Sequence, residues 1–577
     1  MKKIFEAHST AGIHAKITRE QQASAELGHT CFSKGVQITL TIVFLAAIAI
    51  VPSIQLVMER IPSVKAENAE VGSSSPKWSV FKVFSLLPSW KKICGVRSFS
   101  DAANLLPSTT NIKDYDETLE RESVVIKTLL PSVQQFFASN FGLGNEKAYI
   151  GRDGWLFYRP DVDYVTGRPF LDRRELQLRK LSANSPQPDP RKAILKFAEQ
   201  LKSRGIKLVL MPIPVKPMLE AEHFAELNER LLKCPIRNPS EESFFNEMRN
   251  NGIQVFDCAS MLFNRKKSES RPQYLKTDTH WTPEAMDFVA RELSSMLVND
   301  NLLVNGPTVY FRKPVQISNL GDIAMMLKLP ETQQIFHEET VTIQKVFQPD
   351  GIPWISEGGS DILFLGDSFS NIFSLGQMGW GESAGFAEQL SFHLQRPVDT
   401  ILRNDAGSCA TRELLSTELK KGHDRLTGKK VVIWEFANRE LACGDWRIVE
   451  MDLGKERQAD FLSLESGQNL VITATVMEIA SVPRPGTVPY KDHVVSMLLD
   501  DLSSPAGANR QALVYVVSMK NNCWTDAAKI KTGNRIKVKL YSWRDVENKF
   551  SGINRSEIKN EAAALEEPCW GEIIHEK

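Results

Sequence analysis

The sequence predicts an α/β domain built on a parallel β-sheet, with one membrane-spanning helix before it and a small all-β domain after it. Three observations predict this. Amphipathic helices end at glycine and are followed by short apolar runs, as at Pro190–Ser203, Gly205 and Ile206–Pro212. That order is the αβ half of a parallel sheet. Val36 to Met58 is apolar except for Gln37, Thr39, Thr41, Ser53 and Gln55, and matches the roughly 20 residues that cross a bilayer. After about residue 462, β-rich stretches follow one another with no helical pattern between them.

Taken in order, residues 1–34 are polar and irregular and read as a tail. Residues 35–58 form the expected transmembrane signal anchor: a core helix would show a polar face, and a cleaved signal peptide a shorter leader with a small-residue cleavage site. Pro52 is tolerated in a membrane helix. Lys2, Lys3, Lys16, Arg19 and Lys34 precede the segment, and Arg60, Lys65 and Lys77 follow, so charge biases its orientation only slightly. Residues 59–110, rich in Ser and Pro, read as a linker or stalk, with an interfacial stretch around Trp78 to Trp90. A helical pattern runs from Asn111 to Asn140, and Pro131 is expected to break or kink it. The α/β domain is expected over 111–455 and the all-β domain over 462–577. A formal net charge of zero gives no sign of a nucleic-acid binder. The eight cysteines show no CxxC and no metal spacing. Seven lie beyond the apolar segment; in an oxidising compartment one or more pairs could form disulfides, with at least one thiol free.

Within the α/β domain, Asp153-Gly154 marks a hairpin turn in 148–158. Residues 241–250, Gly252 and Ile253–Asp257 repeat the helix–glycine–strand order. Further strands are expected at 361–366, 398–403 and 430–435, with helices at 383–395 and 410–421. Catalytic groups in such a domain belong at the strand C-termini.

The run Asp361-Ile-Leu-Phe-Leu-Gly-Asp-Ser-Phe-Ser370 places Ser368 at a strand-to-helix turn. There a hydroxyl is exposed at the sheet edge and backbone N–H groups can face an oxyanion. The bland alternative is an ordinary turn, since Gly, Asp and Ser all favour turns. Upstream, Thr277-Asp278-Thr279-His280-Trp281-Thr282-Pro283 puts Asp278 and His280 two apart, on one side of an extended segment. Thr282 caps the helix that Pro283 opens. A His oriented by an Asp is the base half of a Ser-His-Asp arrangement; a metal pair is the weaker alternative, since no third and fourth ligand stand at suitable spacing. Arg403 and Asn404, at the end of another strand, are candidate oxyanion donors, with Asn404 equally readable as a helix cap. Trp434-Glu435 ends a further strand and either lines the acceptor cleft or packs. No cofactor or metal is expected.

Gly366-Asp367-Ser368 after an apolar strand resembles the nucleophile block of SGNH-type esterases. Combined with the upstream Asp-Thr-His-Trp, it resembles one branch of that group, the alginate O-acetyltransferase family, in which Asp-x-His precedes the serine. Gly151–Tyr158, Gly321–Met326, Leu402–Gly407 and Trp434–Phe436 extend the resemblance over about residues 110–450. It implies an SGNH-like three-layer sandwich and a catalytic domain in the bacterial periplasm, held to the inner membrane by the single helix. It further implies an exported polysaccharide acceptor and an acetyl donor relayed by a polytopic membrane acyltransferase. Ser368 would attack the donor, with His280 as base and Asp278 holding it; Arg403, Asn404 and Glu435 would be the oxyanion or substrate candidates. The competing readings are an acetylesterase using the same residues and a non-catalytic export scaffold.

In the C-terminal domain, strands are expected at 469–479, 493–502, 511–519 and 534–543, as an OB-like barrel or a sandwich. Tyr515, Trp524, Tyr541 and Trp543 could stack on sugars, although strand aromatics more often form core.

Overall fold

The computed structural model describes residues 33–60 and 123–574, except 182–186, 229, 230, 405, 455–460, 487, 489, 504–510, 559, 561, 562 and 564. Most of the expected tail (1–32) and linker (61–110), the start of the 111–140 helix, Cys31 and Cys94 lie outside the described residues. The chain divides into two units, Met1–Pro131 and Ser132–Lys577.

In the first unit, helix α1 (Lys34–Arg60) is long and apolar enough to cross a membrane. Its hydroxyls bond back to its own turn, Thr41 Oγ1 to the Gln37 carbonyl and Ser53 Oγ to the Ala49 carbonyl. Helix α2 (Val124–Phe141) contains Pro131 and continues on both sides of it, so the helix is not broken there.

The second unit opens with a hairpin, β1 (Ala148–Ile150) and β2 (Leu156–Tyr158). Asp153 and Gly154 both have positive φ, as the tight turn between them requires. Helix α3 (Pro190–Ser203) leads into β3 (Lys207–Ile213), and β4 (Gln254–Val255) follows. After helix α4 (Pro283–Asn299) comes a long antiparallel pair, β5 (Phe311–Asn319) with β6 (Glu339–Phe347), which the sequence pattern did not reveal. Then come β7 (Ile362–Gly366), helix α5 (Phe386–Leu394), β8 (Asp399–Leu402), helix α6 (Ala410–Lys420) and β9 (Val431–Ala437).

Strands β3, β4, β7, β8 and β9 form a parallel sheet in the order β4-β3-β9-β7-β8. Every residue of β7 and β9 is buried, which a sheet covered on both faces demands. Phe364 is paired with Ile433 and Leu365 with Trp434, so Phe364 and Trp434 point to opposite faces. Phe364 stacks on Phe386 of α5. Trp434 meets Phe197 of α3 edge-on and lies under the Arg412 guanidinium of α6. Helices therefore cover both faces.

The C-terminal region comprises β10 (Asn469–Ile479), β11 (His493–Ser503), β12 (Ala512–Lys520), β13 (Cys523–Trp524), β14 (Arg535–Ser542), β15 (Arg555–Ser556) and β16 (Cys569–Ile573). β10, β11, β12, β16 and β14 close into a ring, because β12 bonds both β11 and β16 and β14 bonds both β16 and β10. The module is a closed barrel. A Cβ on Gly571 of β16 would sit 2.6 Å from Val514 Cγ1, so only glycine fits that crowded interior. Tyr515 and Trp543 are buried against each other and Trp570. The described cysteines, Cys234, Cys258, Cys409, Cys443, Cys523 and Cys569, carry free thiols.

Candidate active site

Strand β7 delivers Gly366 to the C-terminal edge of the sheet, and Asp367 caps the short turn Ser368–Asn371 by accepting from Phe369 N–H. The second oxygen of Asp367 accepts from Ala437 N–H at the end of β9. The turn is thus tied to two strands, and Ser368 is fixed at its start.

Asp278 and His280 reach Ser368 by a different local path from the extended segment expected. Tyr274 bridges to Trp281, and Leu275 N–H bonds the His280 carbonyl, closing a tight loop. Asp278 Oδ1 accepts from His280 N–H across 3.1 Å, an Asx turn. The side chains still converge: His280 Nδ1 lies 2.6 Å from Asp278 Oδ1, and His280 Nε2 lies 2.9 Å from Ser368 Oγ. All three side chains are buried.

The Asp278 carboxylate is held by more than its histidine. Its Oδ2 accepts from Trp380 Nε1–H at 2.8 Å and from Asp322 N–H at 2.9 Å. The Asp322 approach depends on Gly321 (φ 39°), where a Cβ would lie 2.5 Å from the Thr277 carbonyl. From below, the fully buried Lys216 ammonium donates to the carbonyls of Leu156, Lys276 and Asp278. Glu339 of β6 accepts the N–H groups of Lys276 and Thr277. The β5–β6 pair thus anchors the loop that carries Asp278 and His280.

These contacts set the charges. Burial alone would raise the Asp278 pKa, but the hydrogen bond and charge of His280, with the Trp380 bond, hold it well below the usual carboxylate range. Burial pulls His280 down, yet Asp278, aided by the Asp322 charge, raises its pKa overall. Asp322, which bonds Thr279, is pushed up to about 7 by burial and then by the neighbouring Asp278 charge. Burial lowers Lys216 to about 8.

The other candidates separate. Asn404 lines the cavity that holds Ser368; its Oδ1 accepts from Asn371 Nδ2–H, which fixes the amide with its own NH2 free to donate. Arg403 lies instead at the junction with the barrel, where Nη2 donates to the Arg555 carbonyl. Glu435, expected at a strand end either lining the acceptor cleft or packing, packs: β9 runs on to Ala437, so Glu435 sits fully enclosed inside the sheet. Its Oε2 accepts from Asp367 N–H and Ser370 Oγ–H, and burial, then the Asp367 charge, pushes its pKa well above the usual value. Trp434 is likewise core, its indole N–H bonded to the Gly407 carbonyl.

Two acidic clusters come within metal-ligating distance among the described residues. In one, Asp278, His280 and Asp322 are engaged in the bonds above. In the other, Lys266 sits as the cation between Glu220 and Glu222.

The family described as the SGNH hydrolase-like domain of the acetyltransferase AlgX matches residues 148–438. The chain belongs to that family. It is 26% identical over 313 residues to a probable alginate O-acetylase AlgJ of Pseudomonas aeruginosa, covering 52% of this chain and 72% of the relative. A probable alginate O-acetylase AlgJ of Azotobacter vinelandii is 24% identical over 313 residues, 52% of this chain and 71% of the relative. Among solved structures, the O-acetyltransferase domain of Pseudomonas putida AlgJ is 19% identical with a TM-score of 0.39, covering 52% of this chain and 93% of that one.

The AlgX-type match contains Asp278, His280, Ser368 and Asn404 and ends one residue before Arg439, whose guanidinium also lines the cavity while paired with Asp161 at 3.0 Å. The barrel lies outside it. Sequence reasoning missed Trp380, Asp322, Lys216 and Glu339. Asp322 falls within the Gly321–Met326 stretch that supported the family resemblance, and Trp380 stands between Gly379 and Gly381, both with positive φ. Those were the available signals.

Proposed function

We propose that this chain is a polysaccharide O-acetyltransferase that works through a serine acyl-enzyme. The observation that carries this reading is the unbroken chain of hydrogen bonds from Asp278 through His280 to Ser368, inside a family of acetyltransferases. His280 Nε2 accepts the Ser368 proton as Oγ attacks the acetyl carbonyl. Ser368 N–H and the Asn404 amide, which lines the same cavity, would donate to the developing oxyanion. His280 then passes the proton to the departing donor fragment, leaving acetyl-Ser368. In the second half-reaction His280 takes a proton from a sugar hydroxyl, which attacks the acyl group; the bond to Ser368 Oγ breaks, His280 returns the proton to Oγ, and the sugar acetate leaves. Asp278 stabilises the imidazolium in both halves.

The relatives are named alginate O-acetylases, which makes an alginate-like or other exported polysaccharide the acceptor class. Residues 35–58 would anchor the chain, 111–455 would carry the chemistry in the periplasm, and 462–577 would be an accessory domain. Acetyl-CoA is a cytoplasmic donor, so a polytopic membrane acyltransferase would relay the acetyl group. The test is the acetyl content of the host's exopolysaccharide with the wild-type chain, with Ser368→Ala and without the chain. Acetyl lost in both altered strains supports the transferase. A gain identifies an esterase, and no change identifies a scaffold.

A further inference from the structure

The cavity around Ser368 has a wall that the AlgX-type domain does not supply. Tyr490, Lys491, Asp492, Ile553 and Asn554, all from the barrel, line it. Asn554 is set apart from the rest. It is 1% exposed, yet neither its Nδ2 nor its Oδ1 has a hydrogen-bond partner among the described residues. Buried amides are nearly always paired, because an unpaired one loses water's hydrogen bonds and gains none. Gln377 Oε1, on the same cavity, is also without a partner.

The backbone that carries Asn554 is firmly held. Val494 N–H donates to the Asn554 carbonyl at 2.9 Å, and Arg403 of the α/β domain donates to the next carbonyl, that of Arg555, at 2.6 Å. A Cβ on Gly552 would meet the Asn371 amide at 3.6 Å, and Asn371 is the residue that orients Asn404. The loop is therefore docked on the ends of β7 and β8, with the unsatisfied Asn554 amide on the cavity that Ser368 also lines.

We infer that Asn554 binds the acceptor, hydrogen-bonding a hydroxyl adjacent to the one that is acylated. This rests on the acetyltransferase reading above. The chemistry of the amide selects the ligand. An acetyl carbonyl would satisfy only Nδ2, and so would a carboxylate. A pair of neighbouring sugar hydroxyls offers both a donor and an acceptor, and so satisfies both amide atoms. The barrel is then part of the acceptor site, and its placement decides which hydroxyl approaches acetyl-Ser368.

The test compares two readouts, each normalised to wild type: hydrolysis of 4-nitrophenyl acetate by the purified full chain, and acetyl content of the polysaccharide exported by cells carrying the variant. In Asn554→Ala the ratio of polymer acetylation to ester hydrolysis falls at least tenfold, while Tm holds or rises because an unpaired buried amide has been removed. A ratio equal to wild type overturns the assignment. Should Tm fall in Asn554→Ala, Asn554→Asp, of the same shape, decides by the same ratio. Ser368→Ala separates the two claims: if it leaves polymer acetylation intact, the acyl-enzyme reading is what fails.

Discussion

Trp380 donates its indole N–H to Oδ2 of Asp278 over 2.8 Å, opposite the oxygen that holds His280. With Asp322 N–H on the same Oδ2, the carboxylate meets N–H donors on both oxygens and has no room to turn.

That arrangement fixes the outcome of Asp278→Asn. The amide must turn its carbonyl toward Trp380 and Asp322, which only donate. Its NH2 then faces His280 Nδ1, forcing the proton onto Nε2, where it blocks acceptance from Ser368. Asp278 is buried, so water cannot rescue the tautomer. The kcat/KM for 4-nitrophenyl acetate falls on the order of 10⁴. A fall of less than about tenfold would show that the imidazole is oriented by something else.

The pH profile follows from His280, which must be neutral to act as base. Its pKa is raised overall in the folded chain, so the acid limb of kcat/KM has its midpoint above the ordinary histidine value of about 6.5. Asp322 contributes through its negative charge, which favours the imidazolium. Asp322→Asn removes that charge and moves the limb to lower pH. A limb that stays put or climbs contradicts the electrostatic role of Asp322.

Ser370 serves as the internal control for Ser368. Its hydroxyl is committed to Glu435 Oε2 at 2.7 Å and lies under the turn. Ser370→Ala keeps substantial esterase turnover and costs about 1 kcal/mol of stability, the usual worth of one hydrogen bond. Ser368→Ala abolishes turnover, and Ser368→Ala/His280→Ala is no worse than either single change. Turnover surviving in Ser368→Ala but lost in Ser370→Ala would reverse the assignment.

Lys216→Met leaves three buried carbonyls without their donor. At roughly 1 kcal/mol each, unfolding in urea should show a loss of about 3 kcal/mol. The same ammonium gives a pH signature. Because burial lowers its pKa to about 8, the folded chain releases this proton before the unfolded chain does. Its contribution to stability therefore rises with pH from about 8 toward the normal lysine range, and Lys216→Met removes that rise.

The orientation of α1 is tested by fusing alkaline phosphatase after residue 110. Activity in the host places the catalytic part outside the cytoplasm. A strongly active cytoplasmic reporter at that point would overturn the periplasmic assignment and the donor relay with it.

The candidate nucleophile and base were legible because their signals are local: an apolar strand running into Gly366-Asp367-Ser368, and Asp278 two residues from His280. The supports were not, because Trp380, Lys216 and Glu339 act from other elements and carry no motif. The β5–β6 pair escaped notice because its strands are mostly half-exposed and lack the continuous apolar runs that mark the parallel strands. Strand β16 is short and broken by Gly571, so the pattern suggested four barrel strands where closure needs a fifth. Glu435 was misplaced by two residues of strand length.

Strand β16 also sets an order of events during folding. It bonds between β12 and β14, which lie well before it in the chain. Until it arrives, both strands present unpaired N–H and C=O groups along an apolar interior, a template for pairing with another molecule. The ring closes only when β16, the last of its strands to be made, reaches β12 and β14. Until Cys569–Ile573 inserts, the open ring leaves those strand edges exposed to aggregation. A substitution at Gly571 would lower the yield of folded protein before it changed any rate measured on the survivors.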